Sequence, residues 1–132
     1  MYDSQGQYEQ ALPLYQEVVK IFEHVLGKQH PSYATSLNNL AGLYDSQGQY
    51  DQAFPLLKEA LKIREQVLGK QHPDTARSIW WLATYYERIQ DDEQALPLYQ
   101  EALRIFTHAL GEQHPDTKLV KGNYERCLNW DS

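Results

Sequence analysis

Between Ser36 and Leu68 the chain carries two apolar stripes separated by one polar break. Leu37, Leu40, Ala41 and Tyr44 keep the i, i+3, i+4, i+7 spacing of a single helix face. Asp45-Ser46-Gln47-Gly48-Gln49 interrupts that spacing, with Gly48 where a helix end asks for a left-handed residue. A second helical stripe then runs through Tyr50, Ala53, Phe54, Leu57, Ala60, Leu61, Ile63, Val67 and Leu68. Small Ala41, Ala53 and Ala60 let two helix backbones approach, while Tyr50 and Leu57 fill the space around them. The pattern predicts an αα-hairpin.

The same unit recurs along the chain. Gly27, Gly69 and Gly111 stand 42 residues apart, and so do His30, His72 and His114. All six prolines fall into two such series, Pro31/Pro73/Pro115 and Pro13/Pro55/Pro97. Residues 2–8 and 44–50 are identical, Tyr-Asp-Ser-Gln-Gly-Gln-Tyr. Chance does not produce this, so the chain is a tandem repeat. It enters the repeat partway, because Tyr2 corresponds to Tyr44, near the end of a first helix. The expected helices are 8–26, 31–46, 50–68, 73–89, 92–110 and 115–129, alternating second-type and first-type. That gives one domain, 1–132: a partial repeat 1–30, repeats 31–72 and 73–114, and a capping helix 115–132. Each Leu-Gly-x-Gln-His-Pro link closes one helix with Gly and opens the next with Pro, whose missing N–H costs nothing in a first turn. Pro13, Pro55 and Pro97 lie deeper, where each removes a backbone bond and bends its helix.

Leu40-Ala41-x-x-Tyr44…Gly48-x-Tyr50-x-x-Ala53…Leu57-x-x-Ala60 resembles the tetratricopeptide repeat. Leu37 and Ile79 stand for its first signature Trp, and Ala41 and Ala83 for its signature Gly. The period of 42, the His-Pro opening, Ser-Leu-Asn-Asn-Leu-Ala and Ala-Leu-x-Ile-x-Glu resemble the kinesin light chain type of that repeat, over essentially the whole chain. The resemblance implies an all-α right-handed superhelix of tandem hairpins, about three repeats long. It also implies a function, a scaffold binding a peptide or protein segment in the concave groove that first-type helices line. By the resemblance, the groove positions are Thr35, Asn38, Gly42 and Asp45 in one repeat and Arg77, Trp80, Thr84 and Arg88 in the next. Asn38 matches the Asn that faces cargo in the kinesin light chain type, and its amide suits an extended backbone. Trp80-Trp81 replaces the Asn-Asn pair one repeat on. Trp80 is expected either on the groove or packed against the next repeat, with Trp81 in the interior.

Composition narrows the alternatives. Net charge is −6, which argues against nucleic acid or an anionic membrane as partner. No apolar run approaches the roughly 18 residues of a membrane span. The single Cys127 excludes an internal disulfide and a Cys-based zinc site. No signal-peptide pattern is visible, and a cytoplasmic protein is expected. No phosphate loop, nucleophile elbow or His-Glu-x-x-His is present, so neither catalysis, metal nor cofactor is expected. The recurring histidines are assigned to connector packing. Glu17, Glu59 and Glu101, each three residues before Lys20, Lys62 and Arg104, read as a solvated, ion-paired face.

Three irregularities set the second functional reading. Ile89-Gln90-Asp91-Asp92 replaces Gln-Gly-Gln-Tyr. It is either a drifted turn with Asp91 or Asp92 as a cap, or a corner that opens for a domain swap. The last helix has Lys121, Gly122 and Glu125 at repeat-core positions and a new stripe of Val120, Tyr124, Cys127 and Leu128, as a terminal cap needs. Its tail, Leu128-Asn129-Trp130-Asp131, either docks into a neighbour's groove or folds back over the cap. At the other end Ala11, Leu12, Tyr15, Val18, Val19 and Phe22 lack a partner helix on one side, so either the chain is a piece of a longer array or it self-associates through that face. The alternative to a groove binder is therefore a structural self-assembly module, a homodimer through the N-terminal helix or a swap, without a groove ligand.

Overall fold

The computed structural model describes residues 4–130, and among these it contains six helices. They are α1 (Ser4–Leu26), α2 (Pro31–Ser46), α3 (Tyr50–Leu68), α4 (Pro73–Arg88), α5 (Asp92–Leu110) and α6 (Pro115–Trp130). They form two compact units, Met1–Val67 and Leu68–Ser132. In the first, Tyr33, Ala34 and Leu37 of α2 pack on Ala60 and Ile63 of α3, with Val19 and Phe22 of α1 against the same cluster. In the second, α5 packs against both α4 and α6, burying Tyr99, Ala102, Ile105 and Phe106.

The links work as short-range chemistry requires. Gly27, Gly69 and Gly111 all have φ near 90° (89°, 95° and 93°), a region closed to side chains with a Cβ. Proline follows as the first residue of α2, α4 and α6. The histidine between them is a helix cap. Nδ1 of His30, His72 and His114 accepts from the backbone N–H of Ser32, Asp74 and Asp116 at 3.0, 3.0 and 3.1 Å. That role needs the ring proton on Nε2. Connector packing understated these residues; each satisfies one of the orphan donors of a first turn.

Both hairpin corners use one device. After α2, Gln49 N–H bonds Tyr44 O at 2.9 Å and Gly48 N–H bonds Asp45 O at 3.0 Å, with Gly48 at φ 74°. After α4, Asp91 N–H bonds Tyr86 O at 2.8 Å and Gln90 N–H bonds Glu87 O at 3.0 Å. Gln90 keeps the left-handed backbone at φ 65°, the one non-glycine residue with positive φ among those described. Asp91 then caps α5, accepting from Gln94. This corner is closed within the chain, α4 lying against α5.

Three expectations need adjusting. α1 begins at Ser4 rather than residue 8, so Gly6 lies inside a helix although its copy, Gly48, makes a corner. The exposed stripe of α1 is Leu14, Tyr15, Val18, Ile21, Val25 and Leu26, whereas Ala11, Leu12, Val19 and Phe22 are half-buried. Of these, Val19 and Phe22 pack against the α2–α3 cluster, and the open side of α1 is the opposite one. On α6, Val120 and Cys127 are buried but Leu128 is exposed, since it lies one residue round the helix from Cys127 and off the buried face. The reading of the 128–131 tail turns on the Trp130 side chain and Asp131, which lie outside those described.

Candidate functional site: the faces of the first-type helices

On α4, Arg77, Trp80, Thr84 and Glu87 follow each other at three- and four-residue steps and share one face. Across from them α6 presents Asp116, Asn123 and Arg126. Three bridges join the helices. Arg77 Nη2 meets Asp116 Oδ2 at 2.7 Å, Trp80 Nε1 donates to Asn123 Oδ1 at 2.7 Å, and Arg126 Nη2 meets Glu87 Oε1 at 2.6 Å. Arg77 also holds Asp74 at 2.7 Å, so its charge is shared between two carboxylates.

Phe106 of α5 forms the floor beneath this wall. The Trp80 ring meets it edge-on, centroids 5.9 Å apart at 83°, and the Arg77 guanidinium lies 5.6 Å from its centroid. A step along, Tyr99 OH donates to Glu87 Oε1 at 2.6 Å and lies 3.3 Å from Thr84 Oγ1. Burial alone would raise the Glu87 carboxyl, but hydrogen bonds from Arg126 and Tyr99 outweigh it and hold the group below the ordinary carboxylate range. Burial, then the bond to Glu87, pushes the Tyr99 hydroxyl well above the ordinary phenol value.

The first unit builds the same place differently. Thr35, Asn38, Gly42 and Asp45 share the corresponding face of α2. Where α5 has Phe106, α3 has Arg64, buried at 6% exposure, whose Nη2 donates to Thr35 Oγ1 at 3.0 Å. Thr35 itself is exposed and also bonds Pro31 O at 3.2 Å. Asn38 is only 4% exposed, so its amide lies beneath the surface rather than on it. Gly42 and Asp45 are half-buried.

In the second unit Trp80 is half-buried and engaged with α6, Thr84 returns its hydroxyl to Trp80 O at 3.0 Å, and Arg88 is exposed at the end of α4. Trp81 is a correction: it is 38% exposed, not interior. It stands one residue past the stripe that meets α5 and α6, at the repeat position of exposed Asn39. Sequence reasoning missed Arg64, Phe106, Glu87, Asp116, Asn123 and Arg126. A signal for part of this was present. Residues 29 apart change together, Thr35 with Arg64 and Arg77 with Phe106.

The cap face of α6 is also partly open. Where Tyr33 and Leu37 fill the first unit, Thr117 and Lys121 border a cleft of about 370 Å³ with Leu103 and Thr107 of α5. Among the described residues no group of three or more His, Cys, Asp or Glu is gathered to hold a metal ion. No described helix is long and apolar enough to cross a membrane.

Alternating helices that stack as antiparallel hairpins, with half-exposed polar and aromatic side chains along one helix set, define a helical repeat protein of the interaction class. The sequence model of the tetratricopeptide repeat matches residues 1–66 and again 46–108, and the chain belongs to that family. Two structures of a putative kinesin light chain with nearly identical repeats from Podosopora anserina, one of them a point variant, superpose at TM-score 0.84. They are 28% identical to the chain, over 93% of it and 58% of their own length. BtubC from P. vanneervenii shares the fold, with a TM-score of 0.84, 23% identity and 94% and 50% coverage. The chain thus spans between half and three fifths of these relatives. Among curated proteins, none is significantly similar to it.

Proposed function

We propose that the chain is a binding scaffold for a protein segment, taken up along the faces of its first-type helices, and that it does no chemistry of its own. Tetratricopeptide repeats in general mediate protein–protein contacts. The observation that carries the finer reading is the α4–α6 wall. Arg77, Trp80 and Glu87 meet Asp116, Asn123 and Arg126 there, where a purely structural helix pair would place apolar residues. Such a wall offers an amphipathic indole, a rigid floor and hydrogen-bonding groups held in place by each other, which suits an extended peptide with an apolar or acidic anchor. Thr35, Asn38, Gly42 and Asp45 are the matching positions of the first unit, with Thr35 the most accessible.

Trp80 is too embedded to serve as a clean probe, so the test uses exposed Arg88. A peptide selected from a random library against the wild type should lose at least tenfold in affinity with Arg88→Glu. Far-UV circular dichroism should stay unchanged. Selected peptides whose binding ignores the substitution would refute the reading.

A further inference from the structure

One face of α6 departs from its copies. Lys118 and Lys121 stand where α2 has Ala34 and Leu37 and α4 has Ala76 and Ile79. Those four apolar residues are buried to 6% or less, whereas both lysines are exposed. Beside them opens the cleft of about 370 Å³ between α5 and α6. Leu103 and Thr107 line one wall, Thr117 and the two lysines the other, and Glu112 stands at the link. Thr117 departs from its copy as well. Thr75, also the third residue of its helix, donates its hydroxyl to Gly69 O at 2.7 Å. Thr117 is almost as deep, at 2% exposure, yet its Oγ1 has no hydrogen-bond partner among the described residues. A buried hydroxyl without an acceptor costs free energy, and a ligand that accepts from it removes that cost.

These groups define what fits between them. Two ammonium groups and one carboxylate give the cleft one net positive charge, which a monoanion balances; a second negative charge would meet Glu112. Ammonium groups only donate, so the polar end that meets them is an acceptor. Leu103 and the methyl group of Thr107 give the rest of a ligand an apolar wall. We propose that the α5–α6 cleft is a binding site for a small monocarboxylic acid with an apolar body. One carboxylate oxygen accepts from Thr117 Oγ1, the ammonium groups of Lys118 and Lys121 flank the charge, and the body lies against Leu103. Because the lysines are exposed, their pairing adds little and weakens with salt. Discrimination comes from the buried hydroxyl, which a ligand lacking an acceptor leaves unpaired. The site shares no residue with the α4–α6 wall. Whatever else packs on this face of α6 has to meet the same two charges.

The probe is 4-phenylbutyrate, titrated at low salt into the full isotope-labelled chain and followed by backbone amide shifts. Saturable shifts centred on residues 103–121 are expected, and the neutral 4-phenylbutyramide should bind at least fivefold more weakly. Thr117→Val should weaken binding at least tenfold and Lys121→Gln about threefold. The ligand-free variants separate a binding hydroxyl from a structural one. Thr117→Val should keep the wild-type thermal midpoint, whereas Thr75→Val, which loses the bond to Gly69 O, should fall by about 3 °C. No saturable shift at millimolar probe, shifts centred elsewhere, equal affinity for the amide, or unchanged affinity in Thr117→Val would each overturn the proposal. So would a Thr117→Val midpoint lowered as far as that of Thr75→Val, since the hydroxyl would then serve the fold.

Discussion

The hairpins α2–α3 and α4–α5 share a length, a corner, a cap and a link, yet their accessible faces are chemically unlike. One sets Thr35 and Asn38 over a buried Arg64; the other sets Arg77 and Trp80 over a buried Phe106. Each floor is matched to its wall. A buried guanidinium needs acceptors, and Thr35 Oγ1 supplies one; a buried phenyl ring needs a cation or a ring edge, and Arg77 and Trp80 supply both. The repeat backbone thus fixes where the side chains meet, while the trio at each meeting point changes as a set.

The matched-set idea predicts its largest failure at Phe106. Phe106→Arg should cost at least about 3 kcal/mol in urea unfolding, because the new charge finds no acceptor beneath Trp80. Adding Arg77→Thr and Trp80→Asn, which copies the other hairpin, should recover 1 kcal/mol or more. A triple variant no more stable than the single one would break the comparison.

Glu87 is the next lever. Glu87→Gln should cost about 1–2 kcal/mol at neutral pH, since it weakens the bonds to Tyr99 and Arg126. The folded carboxyl titrates below its unfolded value, so its contribution is present above that value and fades as pH falls through the folded one. The gap between wild type and variant should therefore close below a pH of about 4. Asp45, at the same repeat position opposite Leu57 instead of a tyrosine, should lose less than half as much on change to Asn.

Histidine caps are common to both hairpins and should respond alike. His30→Ala and His72→Ala should each lower stability by about 1 kcal/mol, and Asn in place of Ala should restore most of it. Smallest is the corner. Gln90→Gly should stabilise by about 0.5–1 kcal/mol, and Gly48→Gln should destabilise by a similar amount, because only the backbone angle differs. Thermal midpoints moving in the same direction would show that the two corners are not equivalent.

Much of the fold was legible because it is local. Periodicity located α2, α3 and α5 to the residue, and the Gly-x-Gln-His-Pro links located their boundaries. Two things were not local. The start of α1 depends on whether a helix end precedes residue 6, which the identical segment around Gly48 does not reveal. The state of the wall depends on α6. Asn123 and Asp116 decide how far Trp80 and Arg77 are committed, and neither is marked in the sequence as their partner. Asn38 was placed on the accessible face by resemblance, but it is only 4% exposed, a depth that spacing alone does not carry.

The segment shared by residues 2–8 and 44–50 has a practical corollary for reagents. Ser4–Tyr8 winds on as helix, while its duplicate bends through a left-handed glycine. An antibody to the linear segment that also accepts its bent form, but not the helical one, should therefore count one epitope per native molecule and two after denaturation, so the ratio of the two signals reports folding without any label.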